Sequence, residues 1–138
     1  MSKKKGSTLI ATYGTLRRGF GNHRVLGDSK LVGSGWTKEK YKLTASGIPF
    51  VNPNEAISKV KVEVYEVSDT QLPRVDSLEG YDPNNHSGSW YKRTPIQVEL
   101  EGSDKLVVEA SIYFGGSDGR TLIESGDYAD YRKGTNWD

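Results

Sequence analysis

Cysteine is absent from this chain of 138 residues, which excludes disulfides, thiolate nucleophiles and sulfur metal ligands. That absence suits a reducing compartment, and the expected location is the cytoplasm. Histidine is scarce. His23 and His86 stand far apart with no tight carboxylate cluster beside them, so no metal site is expected. An excess of charge of one sign is also missing: 19 lysines and arginines face 18 aspartates and glutamates, so no strong field steers the chain toward nucleic acid or a membrane. The basic groups at Lys3–Lys5 and Arg17–Arg18 have only isolated aromatics near them and read as solvated surface. No run approaches the roughly 20 apolar residues that a spanning helix needs. Residues 1–7 are basic, expected to be frayed, and too short and polar for a secretory signal. Gly33–Lys38 is glycine-rich but lacks the spacing and the Lys-Ser/Thr ending of a phosphate loop. With no internal repeat and no low-complexity linker, residues 8–138 are expected to form one soluble domain, long enough to bury a core without covalent staples.

What the chain does have is a succession of short strand signals. Thr8–Tyr13 is β-branched and aromatic and halts at Gly14. Asn22–Asp28 has room for one helical turn. Lys30–Thr37 and Lys40–Ser46 read as a strand pair. In Ile57–Val67, Val60, Val62 and Val64 share a face opposite Lys59, Lys61 and Glu63, and the alternation slips at Tyr65–Val67, which suggests a bulge or a strand end. Trp90–Leu100 alternates with Ile96, Val98 and Leu100 on one face and Tyr91, Arg93 and Gln97 on the other. Leu106–Phe114 does the same through Leu106, Val108, Ala110, Ile112 and Phe114.

One stretch reads as a helix. Within Ser68–Gly80, Leu72, Val75 and Leu78 recur at helical spacing, and Gly80 suits the residue that ends a helix. Pro73 is tolerated only in the first turn, which makes Asp69 or Thr70 the expected cap. The fold class that follows is α+β: a small, mixed, mostly antiparallel β-barrel with this one main helix beside a ligand cavity.

Three stretches carry candidate chemistry. In "TYGTLRRGFGNH" (12–23) an apolar run ends in a glycine loop, where Gly14 and its neighbours can offer backbone N–H groups to a carboxylate or carbonyl. In "VDSLEGY" (75–81) an inward Leu78 leaves Glu79 at the helix's last turn, where the helix dipole disfavours ionisation and a glutamate becomes a usable general acid–base. In "WYKRTP" (90–95) Tyr91 and Arg93 share a face and together can line a pocket.

Tyr13-Gly14-Thr15-Leu16 with Arg17-Arg18-Gly19 and Asn22-His23, then Gly47-Ile48-Pro49-Phe50, Leu78-Glu79-Gly80-Tyr81 and Tyr91-Lys92-Arg93, occur in an order that resembles the γ-glutamylcyclotransferase-like family. The similarity is greatest to its γ-glutamylamine cyclotransferase and avirulence-induced-gene-like branch and runs from about Leu9 to Tyr113. The resemblance implies a cavity that binds a γ-glutamyl compound. Tyr13, Gly14, Thr15 and Leu16 would hold the α-carboxylate through main-chain N–H groups, and Glu79 would be the catalytic acid–base. Gly47, Ile48, Pro49, Tyr91, Arg93 and Tyr113 would complete the substrate site. The implied reaction is attack of the α-amino group on the γ-carbonyl, releasing 5-oxoproline and a free amine, with no metal, thiol or cofactor required. The alternative is a non-catalytic module that captures a small molecule or a modified peptide end in the same cavity. The polar stretch Asn84–Ser89 and the tail from Gly116 depart from the family pattern, and the former could gate the cavity.

Overall fold

The structure is a computed structural model that describes residues 6–14, 29–46, 48–78, 81, 84, 91–102, 106–115 and 119–130. The elements run β1 (Ser7–Thr12), β2 (Lys30–Thr37), β3 (Lys42–Ser46), β4 (Ile48–Asn52), β5 (Lys61–Ser68), α1 (Leu72–Leu78), β6 (Tyr91–Leu100), β7 (Val107–Gly115) and β8 (Thr121–Leu122). Strands β1, β5, β2, β6 and β7 close in that order into a barrel, and β4, β3 and β8 form a small second sheet. Every barrel pairing is antiparallel except β1 with β7, which meet in parallel at Ile10 and Ser111. The mixed, mostly antiparallel α+β class expected from the sequence is the class observed. Among the described residues, no helix is long and apolar enough to cross a membrane.

Alternation along the strands explains the interior. Leu9 and Ala11 of β1, Val62 and Val64 of β5, Ile96 and Val98 of β6, and Val108, Ala110 and Ile112 of β7 converge on one core, and Leu43, Ala45 and Val51 of the small sheet join it. Leu106 departs from the expected pattern. It precedes β7, beyond the paired register, and is exposed.

The expected pairing of 30–37 with 40–46 is not what forms. β2 lies between β5 and β6, and β3 pairs with β4 and β8. The backbone at the end of β2 is committed elsewhere: the Thr37 N–H donates to Val60 O, just before β5, and the Lys38 N–H to Gln97 O of β6, its two neighbours in the barrel. The Thr37 hydroxyl donates to Glu39 O at 2.7 Å and accepts the Val60 N–H at 2.9 Å, so the chain is turned out of the barrel before β3 begins. Local alternation marks a strand but not its partner.

The slip at Tyr65–Val67 is neither a bulge of β5 nor its end. β5 pairs with β1 without interruption from Glu63 to Ser68. The irregularity sits on the facing strand, between Leu31 and Gly33 of β2. Valines on one face of β5 fill the barrel, while Tyr65 and Val67 on the other pack with Ile10, Val75, Tyr91 and Tyr113 in a second core between barrel and helix. Two buried faces break the simple alternation.

Ser68 belongs to β5, so α1 is shorter than the expected Ser68–Gly80 span and begins at Leu72, with Pro73 in its first turn as the fixed φ of proline requires. At its entrance the Gln71 N–H donates to the Ser68 hydroxyl at 3.2 Å, so Ser68 accepts there where Asp69 or Thr70 was the expected cap. Val75 is fully buried in the outer core and fixes the helix on the barrel. Val75→Ala therefore removes packed methyl groups at the helix–barrel contact and is expected to lower unfolding free energy by about 1.5–3 kcal/mol in urea titration. The same truncation at the exposed Ile57 is expected to change it by less than about 0.5 kcal/mol.

Candidate active site

Strand closure brings together side chains from distant parts of the chain. Tyr13, just past β1, and Tyr113, near the end of β7, are 100 residues apart, yet the Tyr13 hydroxyl donates to Tyr113 O at 2.6 Å. The hydroxyl of Tyr113 donates in turn to Asp76 Oδ1 of α1, also at 2.6 Å. Asp76 Oδ2 lies 3.3 Å from Nη1 of Arg93 on β6. The Arg93 guanidinium sits over the ring of Tyr81, 5.2 Å from its centroid, and the Tyr81 ring meets Tyr113 edge-on. Tyr113, Asp76, Arg93 and Tyr81 thus form one connected group of side chains on the outer face of the barrel, joined through the Tyr113 backbone carbonyl to Tyr13 of the inner core.

A second wall comes from β4. The Tyr91 hydroxyl donates to Pro49 O at 2.9 Å, and its ring lies parallel to that of Phe50 with centroids 5.8 Å apart. Pro49 also explains Gly14. A Cβ built on Gly14 would run into the Pro49 ring, so only glycine lets the end of β1 approach β4 this closely.

Of the residues singled out in the sequence, Tyr13, Gly14, Pro49, Tyr91, Arg93 and Tyr113 are brought together by these contacts. Thr15, Leu16, Gly47, Glu79 and the side chain of Ile48 lie outside the described residues, as do the Asn22–Asp28 turn, Gly80, residues 85–89 and the end of the tail. Asp76 and Tyr81 were not singled out for the site. A signal for Asp76 exists: it stands four residues after Leu72 and three before Glu79, a carboxylate placed in the apolar stripe of the helix.

Burial dominates the electrostatics of Asp76, which is only 4% exposed. Desolvation pushes its carboxyl above the ordinary carboxylate range, opposed by the hydrogen bond from Tyr113 and then by the charge of Arg93. A separate groove of about 540 Å³ lies at the opposite end of β6, lined by Trp36, Lys59, Glu99, Leu100, Glu101 and Gly102. It shares no residue with the group above, and its Lys59 and Glu99 are already paired at 2.9 Å. The convergence of buried polar groups, rather than groove size, marks the candidate site.

A barrel closed by one parallel pairing, with a glycine turn packed on a proline strand and a short helix across the outside, is a fold shared with solved structures. The crystal structure of an uncharacterized protein from Pyrococcus horikoshii matches with a TM-score of 0.68 and 30% identity, over 94% of this chain and 97% of that one. That of an AIG2-like protein from Mus musculus matches with a TM-score of 0.70 and 28% identity over 88% of each chain. Residues 10–130 match the family described as gamma-glutamyl cyclotransferase, AIG2-like, and the chain belongs to that family. A Methanocaldococcus jannaschii protein, provisionally named a gamma-glutamylcyclotransferase, is 42% identical over 124 residues, 89% of this chain and 97% of that protein. The Danio rerio protein named gamma-glutamylaminecyclotransferase C is 32% identical over 116 residues, 75% of this chain and 72% of its own length.

Two measurements follow from this geometry. Tyr91→Phe removes the donor to Pro49 O while keeping the ring on Phe50, and a loss of about 0.5–1.5 kcal/mol in unfolding free energy is expected from thermal or urea melts. Asp76 governs a pH effect. Because its folded pKa is raised, the native chain holds this proton more tightly than the unfolded chain between the two pKa values, so its contribution to stability falls as pH rises through that interval. The stability of wild type minus that of Asp76→Asn is therefore expected to decline as pH increases from about 4, the unfolded aspartate value, and then level off. Urea melts across a pH series give the slope, and a rising difference would contradict the assignment.

Proposed function

We propose that the protein is a γ-glutamylamine cyclotransferase, releasing 5-oxoproline and a free amine from a small γ-glutamyl compound. The observation that carries this reading is the packing of Gly14 on Pro49 beside the Tyr13–Tyr113–Asp76 chain, in a member of a family with relatives named gamma-glutamylaminecyclotransferases. The missing Cβ of Gly14 lets the end of β1 lie against Pro49, and in this reading the N–H groups that follow it meet a carboxylate, the group such donors favour. In this reading Tyr13, Gly14, Thr15 and Leu16 hold the α-carboxylate. Gly47, Ile48 and Pro49 form the facing wall, ordered by Tyr91, and Arg93 and Tyr113 border the site on the barrel side.

The substrate brings its own nucleophile. When the γ-glutamyl chain is bent, the α-amino nitrogen stands over the γ-carbonyl carbon, and closing the ring is intramolecular. Effective molarities of roughly 10⁵–10⁸ M are reached in well-oriented cases, so holding the bent conformer supplies a large part of the rate. Glu79 removes a proton from the α-amino group as the new C–N bond forms. The same carboxyl returns that proton to the departing amine nitrogen as the original C–N bond breaks. No water is consumed and nothing is oxidised or reduced.

Glu79→Gln keeps the size of the side chain and its hydrogen bonding but cannot shuttle a proton at neutral pH. Turnover is expected to fall by about 10²–10⁴, while the melting temperature and 5-oxoproline binding stay near wild type. The measurement is 5-oxoproline formation from a panel of γ-glutamyl amines, followed by mass spectrometry. Full turnover by Glu79→Gln would overturn the mechanism. A wild-type chain that binds γ-glutamyl compounds and returns them unchanged would be a binding module instead.

A further inference from the structure

The reaction above leaves one buried carboxyl group among the described residues without a role. Among the described residues, Asp76 is the only charged residue that is buried. Stability does not account for it. Taking a carboxylate out of water is costly, and an apolar side chain of similar size would cover the same surface without that cost. The contacts of Asp76 are two hydrogen bonds and one ion pair. Oδ1 accepts the Tyr113 hydroxyl, Oδ2 faces Arg93, and the backbone carbonyl accepts the N–H of Tyr81 at 2.9 Å. Tyr81 is held again from the barrel side, by the Arg93 guanidinium over its ring and by Tyr113 at its edge.

Asp76 and Tyr81, which flank Glu79 in the sequence, both contact Tyr113 of β7 and Arg93 of β6. The backbone carbonyl of the same Tyr113 accepts the hydroxyl of Tyr13, the residue before Gly14. We propose that Asp76 is a positioning residue, which through Tyr113, Arg93 and Tyr81 holds the residues flanking Glu79 in the sequence to β6 and β7, and that the working placement of the proposed acid–base depends on it. This inference rests on the function proposed above. Ring closure depends on the placement of the base, and a displacement of about 1 Å can cost on the order of 10² in rate. Asp76 touches no reacting atom in this scheme.

The test compares wild type, Asp76→Asn, Tyr113→Phe, the double variant and Glu79→Gln on a γ-glutamyl amine that wild type turns over, at a temperature where all are folded. Asp76→Asn keeps the volume but presents no charge to Arg93. It is expected to lower kcat about 10- to 100-fold with KM within about threefold. Tyr113→Phe should lower kcat in the same way, and the double variant should lose less than the product of the two single losses. The Tyr81 amide should exchange faster with solvent in Asp76→Asn, while barrel amides keep their wild-type protection. Wild-type kcat in Asp76→Asn, or a loss matched by its unfolded fraction, would overturn the proposal even if Glu79→Gln is inactive. If Asp76→Asn does not fold, Tyr113→Phe decides alone, and wild-type kcat there overturns it. An inactive wild type or a fully active Glu79→Gln would instead remove the proposed function, and this inference with it.

Discussion

Strands β1 and β7 stand at the two ends of the sheet order, and their parallel contact at Ile10 and Ser111 turns a five-stranded sheet into a closed barrel. The site depends on that seam. Running on from the paired residues in the same direction, β1 leads to Tyr13 and Gly14 while β7 leads to Tyr113, so the two chain segments arrive side by side at one end of the barrel. A parallel contact does this because both strands exit the same way. An antiparallel seam would have carried Tyr13 and Tyr113 to opposite ends. Closure also removes two sheet edges, so the ends of β1 and β7 are held by backbone hydrogen bonds as well as by packing.

The second requirement is a surface on the outside of the barrel for α1. Ile10, Tyr65, Val67, Tyr91 and Tyr113 alternate outward from four different strands and still are buried, because Val75 and the β4 residue Phe50 cover them. Those outward positions are partly aromatic and phenolic, and each hydroxyl finds an acceptor: Tyr91 on Pro49, Tyr113 on Asp76, and Tyr65 on Glu63 at 2.9 Å. Directed bonds of this kind fix rotations that apolar packing alone leaves loose, which suits a site whose chemistry needs placement more than reagents.

Cyclisation of a γ-glutamyl group is a reaction for which a rigid frame is well matched. The nucleophile and the electrophile are in one molecule, so such a reaction calls for a selected conformer and the movement of one proton. A closed barrel with a filled core and hydrogen-bonded side chains on its outside is a frame of that kind. The directed contacts around Asp76 are consistent with the same requirement.

Much of the fold was legible in the residues, for local reasons. The alternation of Ile96, Val98 and Leu100, and of Val108, Ala110, Ile112 and Phe114, reflects a period of two that each strand carries within itself. The helix showed through Leu72, Val75 and Leu78, and the Tyr13–Gly14, Pro49, Tyr91 and Arg93 motifs were visible as ordered fragments of a family pattern. What the chain alone did not reveal was partnership. β2 and β3 both alternate or carry β-branched residues, yet they belong to different sheets, since hydrogen bonds from Thr37 and Lys38 to strands far along the chain decide the route between them. The two buried faces of β5 resembled an irregularity until the helix was placed over one of them. Asp76 is the plainest case. In the sequence it is one more carboxylate near Glu79, the residue to which the family pattern points. Only the closed barrel brings Tyr113 and Arg93 to its oxygens, because a residue's burial and its charge partners are properties of the packed chain rather than of its neighbours in sequence.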